Sequence, residues 1–242
     1  MFEYRERLCA QALREFEALE DLEGIAYATQ LLAREKPIHK ARSMLERSVR
    51  IMRQIGNDAG LISCLDSLAS FTCIGGDREA CQAMKKEALA IARALDDLEN
   101  TANMLYSLGI TEEGVGPQRA AMFEEAASIF ATLGHAFDEG RCLAYCATLA
   151  CQEDEAPNKE ALLRQALELF AKTGKGAMMS YCYDALAELA HDRNDDESAA
   201  TLELASRTAW PTGEHLEGVN PCPSELNYET LRDAMRRLCG GY

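Results

Sequence analysis

The sequence predicts an all-α, right-handed α-solenoid of about five helix pairs, with an extra helix at the N-terminus and a capping helix at the C-terminus. Three observations carry this. Five segments align with one another, at residues 25–33, 61–69, 101–109, 142–150 and 182–190. Each ends in Leu and a small residue: Leu32-Ala33, Leu68-Ala69, Leu108-Gly109, Leu149-Ala150 and Leu189-Ala190. The leucines are 36, 40, 41 and 40 residues apart, a period typical of helical repeats. Within the units apolar residues recur at helical spacing, as in Ile25, Ala28, Thr29 and Leu32, or Leu61, Cys64, Leu65 and Leu68, which fall on one face of a 3.6-residue helix. Val/Ile/Thr alternation of strand type is absent.

The elements follow in order. A lone helix is expected near 2–19. First helices are expected near 22–35, 58–73, 98–112, 137–152 and 176–191, and second helices near 38–55, 77–95, 117–133, 157–173 and 195–208. Turn signals separate them at Lys36-Pro37, Gly75-Gly76-Asp77, Gly114-Val115-Gly116-Pro117 and Ala156-Pro157-Asn158. Pro37 and Pro117 stand where a helix can start without losing an internal hydrogen bond. Near the ends of the lone helix and the second helices runs another column, Phe16, Met52, Ala92, Phe130 and Phe170, often followed by a Gly or acidic turn. The small residue after each Leu supplies the dent that lets two helices close on each other. One pair cannot bury its own apolar faces, so neighbours must stack.

The tail differs. Trp210, Pro211, Gly213, Gly218, Pro221 and Pro223 mark residues 209–224 as a loop. Ser224 can cap a last helix carrying Leu226, Tyr228, Leu231, Met235 and Leu238. The expected organisation is a helical-repeat domain over 1–208 and a loop with a capping helix over 209–242.

Composition narrows the function. The 242 residues carry a net charge of −15. Residues 1–55 hold 10 Lys/Arg against 9 Asp/Glu, the rest 15 against 31. A phosphate backbone is repelled by such a chain, so nucleic acid is not an expected partner. No apolar run reaches the roughly 18–20 residues of a membrane span. The ten cysteines include no Cys-x-x-Cys and no zinc spacing. Cys142 and Cys146 are one turn apart and could face a metal, but their columns hold apolar residues in other repeats, so core packing is expected. With no secretory signal or glycosylation sequon, the chain reads as a reduced, cytoplasmic protein. Phosphate-loop, nucleophile-elbow, dinucleotide and zinc-protease motifs are all absent, and the four histidines fall near separate turns. No catalytic residue, cofactor or metal is expected.

The Leu-small repeat resembles the tetratricopeptide (TPR) family, in the extended units of about 36–41 residues found in bacterial signal-transduction and transcription regulators and in cytoplasmic scaffolds. The resemblance spans roughly residues 5–208. It departs from the family where a large aromatic is usual three residues before the Leu; here stand Thr29, Leu65, Leu105, Cys146 and Leu186. It implies a non-catalytic scaffold or regulatory module binding a peptide or helix in a concave groove. The alternative is a sensor for a small effector or signal peptide within a larger regulator. Placed as in that family, the groove positions are five and two residues before each Leu and two after. They are Tyr27, Gln30 and Arg34; Ser63, Asp66 and Ser70; Asn103, Tyr106 and Ile110; Ala144, Ala147 and Cys151; and Asp184, Ala187 and His191. The carboxylate clamp of chaperone-binding members is missing, because the position just before the Leu holds Leu31, Ser67, Ser107, Thr148 and Glu188. A competing docking edge is the basic helix 38–55, with Lys40, Arg42, Arg47, Arg50 and Arg53.

Overall fold

The computed structural model describes residues 2–112, 117–150 and 156–209. These form helices and turns with no strand among the described residues. The helices are α1 (Phe2–Ala18), α2 (Leu22–Ala33), α3 (Ile38–Ile55), α4 (Asp58–Ile74), α5 (Arg78–Ala94), α6 (Leu98–Thr111), α7 (Pro117–Leu133), α8 (Ala136–Ala150), α9 (Ala156–Thr173), α10 (Gly176–Asp192) and α11 (Asp196–Ala209). The predicted repeat is thus the observed one, a helical-repeat architecture of the α-solenoid class. Contacts divide the chain into two compact units, Met1–Gly114 and Val115–Tyr242. The expected loop and capping helix beyond residue 209 lie outside the described residues, as does most of the turn expected at Gly114-Val115-Gly116-Pro117.

In the first unit consecutive helices pack from α1 to α6, and α4 also touches α2 and α6. Leu45, Met52, Ile62, Leu65 and Met104 form the core. The small residues after the repeat leucines do what the pattern requires: Ala33, Ala69 and Ala190 are fully buried and Gly109 is buried. The second unit is built around Phe123, Phe130, Leu163, Phe170, Leu186 and Leu202, all buried to within a few per cent.

Among the described residues one turn recurs seven times. Glu20, Gly56, Gly76, Asp96, Gly134, Gly174 and Asn194 have φ between 53° and 90°. In each case the next residue's amide bonds back to the carbonyl five residues earlier, for example Asn57 to Met52 and Asp97 to Ala92. This closes the preceding helix in a left-handed cap. At five of the seven turns that next residue, Asp21, Asn57, Asp77, Asp97 or Asp195, also caps the following helix by accepting from the amide three residues on. Left-handed backbone is free for glycine and costs other residues about 1–2 kcal/mol, less for Asp and Asn. Asp96→Gly is therefore expected to stabilise the chain by about 0.5–1 kcal/mol, and Gly56→Ala to destabilise it by about 1–2 kcal/mol. Urea denaturation of the two variants checks both signs.

Glycines also sit where a neighbour leaves no room. A Cβ on Gly24 would lie 2.2 Å from the Phe16 ring, and one on Gly60 would lie 2.7 Å from Met52 Sδ. Phe16 and Met52 belong to the column that ends the lone helix and the second helices; eight residues after its other large members, Phe130 and Phe170, stand Asp138 and Met178 rather than glycine. Where that column holds Ala92, the residue eight further on is Asn100.

Polar side chains tie the helices of the first unit. Gln30 Nε2 on α2 donates to Ser63 O and Oγ and to Ser67 Oγ on α4, at 2.7–2.9 Å. The buried Lys85 of α5 donates to Ser107 O and Oγ on α6, and Gln82 and Arg78 reach Thr111 O. The Ser107 and Thr111 carbonyls lie in the last turn of α6, where cations are favoured. None of the helices formed by the described residues is long and apolar enough to cross a membrane.

Candidate functional site

In the second unit α8 and α10 place a line of side chains beside each other. Thr148 is the residue just before Leu149, and Tyr181 stands eight before Leu189. Their hydroxyls meet at 2.5 Å. Tyr181 is 42% exposed, and a hollow of about 230 Å³ opens on each side of it. One is walled by Ala144, Tyr145, Met178 and Tyr181 and is predominantly apolar. Tyr145 is fixed there by stacking on Phe123, with ring centroids 5.0 Å apart and planes 7° from parallel. The other hollow is lined by Tyr181 with Thr148, Asp184, Ala185 and Glu188, and by Lys159 and Leu163 of α9. Each is smaller than the roughly 300–1,000 Å³ of a small-molecule site and is of a size to take a single side chain.

Of the residues proposed from the repeat register, Ala144 and Asp184 line these hollows. Ala147 and Ala187 are buried, and Cys151 lies outside the described residues. In the first unit Gln30 is 7% exposed and bonded across to α4. Asp66 accepts from Ser107 Oγ at 3.3 Å. Tyr27, Arg34, Ser63, Asn103 and Ile110 are exposed, and Ser70 and Tyr106 are half-buried. Tyr145, Met178 and Tyr181 were not picked out by the register, while Thr148 and Glu188 occupy the position considered for the missing clamp. For Thr148, Glu188 and Tyr181 the signal was present: the positions one and eight before a repeat Leu are four and three residues from the one five before it and share its helical face, whereas Tyr145 and Met178 stand one and six residues from it, off that face.

His191, the last proposed groove residue, is exposed at the end of α10. Its Nε2 is 3.1 Å from Glu203 Oε1 on α11 and its Nδ1 is 3.5 Å from Asp196. The hydrogen bond to Glu203 is the main cause that raises the imidazole's pKa above its ordinary value, and the same bond is the main cause that lowers the pKa of Glu203. The imidazolium form is the one stabilised by folding. Its contribution is full below the unfolded histidine pKa and fades as pH rises through the raised folded value. That of Glu203 is full above the unfolded carboxylate pKa and fades as pH falls through the lowered one. The pair therefore acts between those two limits. NMR titration should show His191 protonated to higher pH than a free histidine, and Glu203→Gln should return it toward the ordinary value.

Cys64, Cys142, Cys146 and Cys182 are core residues, as their columns imply. Burial pushes their thiols up to about 11 for Cys64 and about 12 for the other three, so they are neutral and poor ligands or nucleophiles. Among the described residues no group of three His, Cys, Asp or Glu could hold a metal. The basic face of α3 is partly occupied: Arg47 pairs with Glu17 of α1 at 3.0 Å, and Arg53 with Glu87 of α5 at 2.6 Å.

No family model matches the sequence, and no curated protein matches it. Solved structures do. BtubC (BKLC) from P. vanneervenii superposes with a TM-score of 0.77 over 92% of this chain and 95% of that one, at 14% sequence identity. The apo form of the quorum sensor NprR from B. thuringiensis aligns over 86% of this chain and 72% of that one, with a TM-score of 0.36 and 13% identity. The first likeness shows that the whole helical-repeat fold recurs in a protein of different sequence; the second is too loose to carry an argument.

Proposed function

We propose that the chain is a TPR-type, non-catalytic interaction module of the cytoplasm, which takes a peptide segment of another protein on the face formed by α8 and α10. The observation that carries this is the pair of side-chain-sized hollows on either side of Tyr181. A segment laid over that tyrosine can insert one side chain on each side and stack on the ring. Spaced anchors of this kind are how a groove reads a peptide, and an exposed tyrosine held by a hydrogen bond loses little freedom on binding. The cytoplasmic reading is supported by thiols packed as core residues. Panning a random peptide library on the protein should yield binders whose affinity falls by about 1–2 kcal/mol with Tyr181→Ala, in the range of an ordinary hot spot. Binders indifferent to that change would place the interface elsewhere, with the remaining cations of α3 the next surface to vary. A small effector, the competing reading, would instead raise the melting temperature in a metabolite screen by mass action.

A further inference from the structure

The two hollows differ in chemistry, and the difference identifies what they accept. One is a largely apolar socket. The other has Asp184 and Glu188 on its rim, one helical turn apart on α10 and both exposed. Like charges at this spacing repel by a few tenths of a kcal/mol, so the arrangement does not favour the helix that carries it. Some carboxylates of this unit have cations of their own: Asp138 has Arg141, Glu160 has Arg164 and Arg193, and Glu203 has Arg207. Among the described residues no ion pair reaches Asp184 or Glu188. Residues 115–242 hold 11 Lys/Arg against 21 Asp/Glu, so the surrounding field also favours an incoming cation.

We propose that the segment bound here pairs a lysine or arginine with a neighbouring bulky apolar residue. The cation lies between the carboxylates of Asp184 and Glu188, and the apolar side chain enters the socket of Ala144, Tyr145 and Met178 across Tyr181. Lys159, which also lines the hollow of Asp184 and Glu188, sets the number of charges. With it the three groups sum to one negative charge, which suits a single cation and opposes a polybasic run. This rests on the reading of the face as a peptide site.

The test is to pan a random peptide library on the full chain at low salt and measure the enriched peptides on three proteins: the unaltered chain, Tyr181→Ala, and the double variant Asp184→Asn with Glu188→Gln. Both changes in the double variant are isosteric and exposed, and circular dichroism verifies its fold. The expected result is enrichment of one basic residue next to an aromatic or large aliphatic one. Binding to the double variant should be about tenfold weaker at 50 mM salt, and the difference should shrink as salt rises. Peptides that need Tyr181 but lack a basic residue and bind the double variant equally well overturn the charge assignment and leave the site standing. Failure to enrich any peptide that depends on Tyr181 overturns the site, and the assignment with it.

Discussion

Phe170→Ala is expected to destabilise the second unit by about 3–5 kcal/mol, the usual cost of truncating a fully buried phenylalanine. Phe170 has no exposed surface. Its ring lies where a Cβ on Gly140 would come within 2.9 Å, and its centroid is 5.9 Å from that of Phe137, edge to face. The ring therefore fills the space that Gly140 leaves open. Helix backbone cannot collapse into the void, so the penalty belongs in the upper part of the range. Adding Gly140→Ala should recover part of the loss by filling some of the cavity, whereas Gly140→Ala alone should destabilise by overpacking. Thermal or urea denaturation of the three variants forms a cycle. Its coupling should favour the double variant, and simple additivity would show that the ring and the glycine do not share that space.

Glu160→Ala should cost about 3 kcal/mol, the lower end for breaking a buried ion pair. Glu160 is 5% exposed on α9. One carboxylate oxygen accepts from Arg164 at 2.5 Å and the other from Arg193, just past α10, at 2.8 Å. Removing the carboxylate leaves Arg164, whose side chain is only 18% exposed, without that charge. Arg193 is more open to water, which is why the estimate stays at the low end. By comparison, breaking the exposed Glu203–Arg207 pair should change stability by no more than about 1 kcal/mol. A cycle of Glu160→Ala with Arg193→Ala should show coupling of about 1–3 kcal/mol; coupling near zero would mean that Arg193 contributes nothing to holding α9 against the end of α10.

Periodicity made the helices legible almost to the residue. The Leu-small columns marked the packing faces, and Pro37 with the Gly or acidic turn signals marked the boundaries. The site was less legible because a groove depends on how far each first helix is rotated about its own axis. The position two before the Leu was expected to face a partner, but Gln30 uses it to bridge α2 to α4, and Ala147 and Ala187 bury it. The rotation follows from packing against the neighbouring first helix, which no single repeat encodes. Charge was legible in amount and not in use. The five cations of α3 form one basic face in the sequence, while the fold assigns Arg47 and Arg53 to carboxylates about 30 residues away in the chain.

The contacts of Phe16 with Gly24 and of Met52 with Gly60 bear on how such chains can lengthen or shorten. Helix pairs of a repeat protein are often treated as interchangeable modules, to be duplicated, deleted or recombined. Here a junction is keyed: a bulky residue closing one module is matched by a missing side chain eight residues further along the chain, at the third position of the next helix, and Ala92 with Asn100 carries the opposite key. An internal deletion that joined Phe16 to the module beginning at Leu98 would drive the ring against Asn100, although every helix on both sides remained intact. Recombination at these junctions should therefore succeed only when the cut falls inside a helix pair, so that Phe16 travels with Gly24 and Met52 with Gly60.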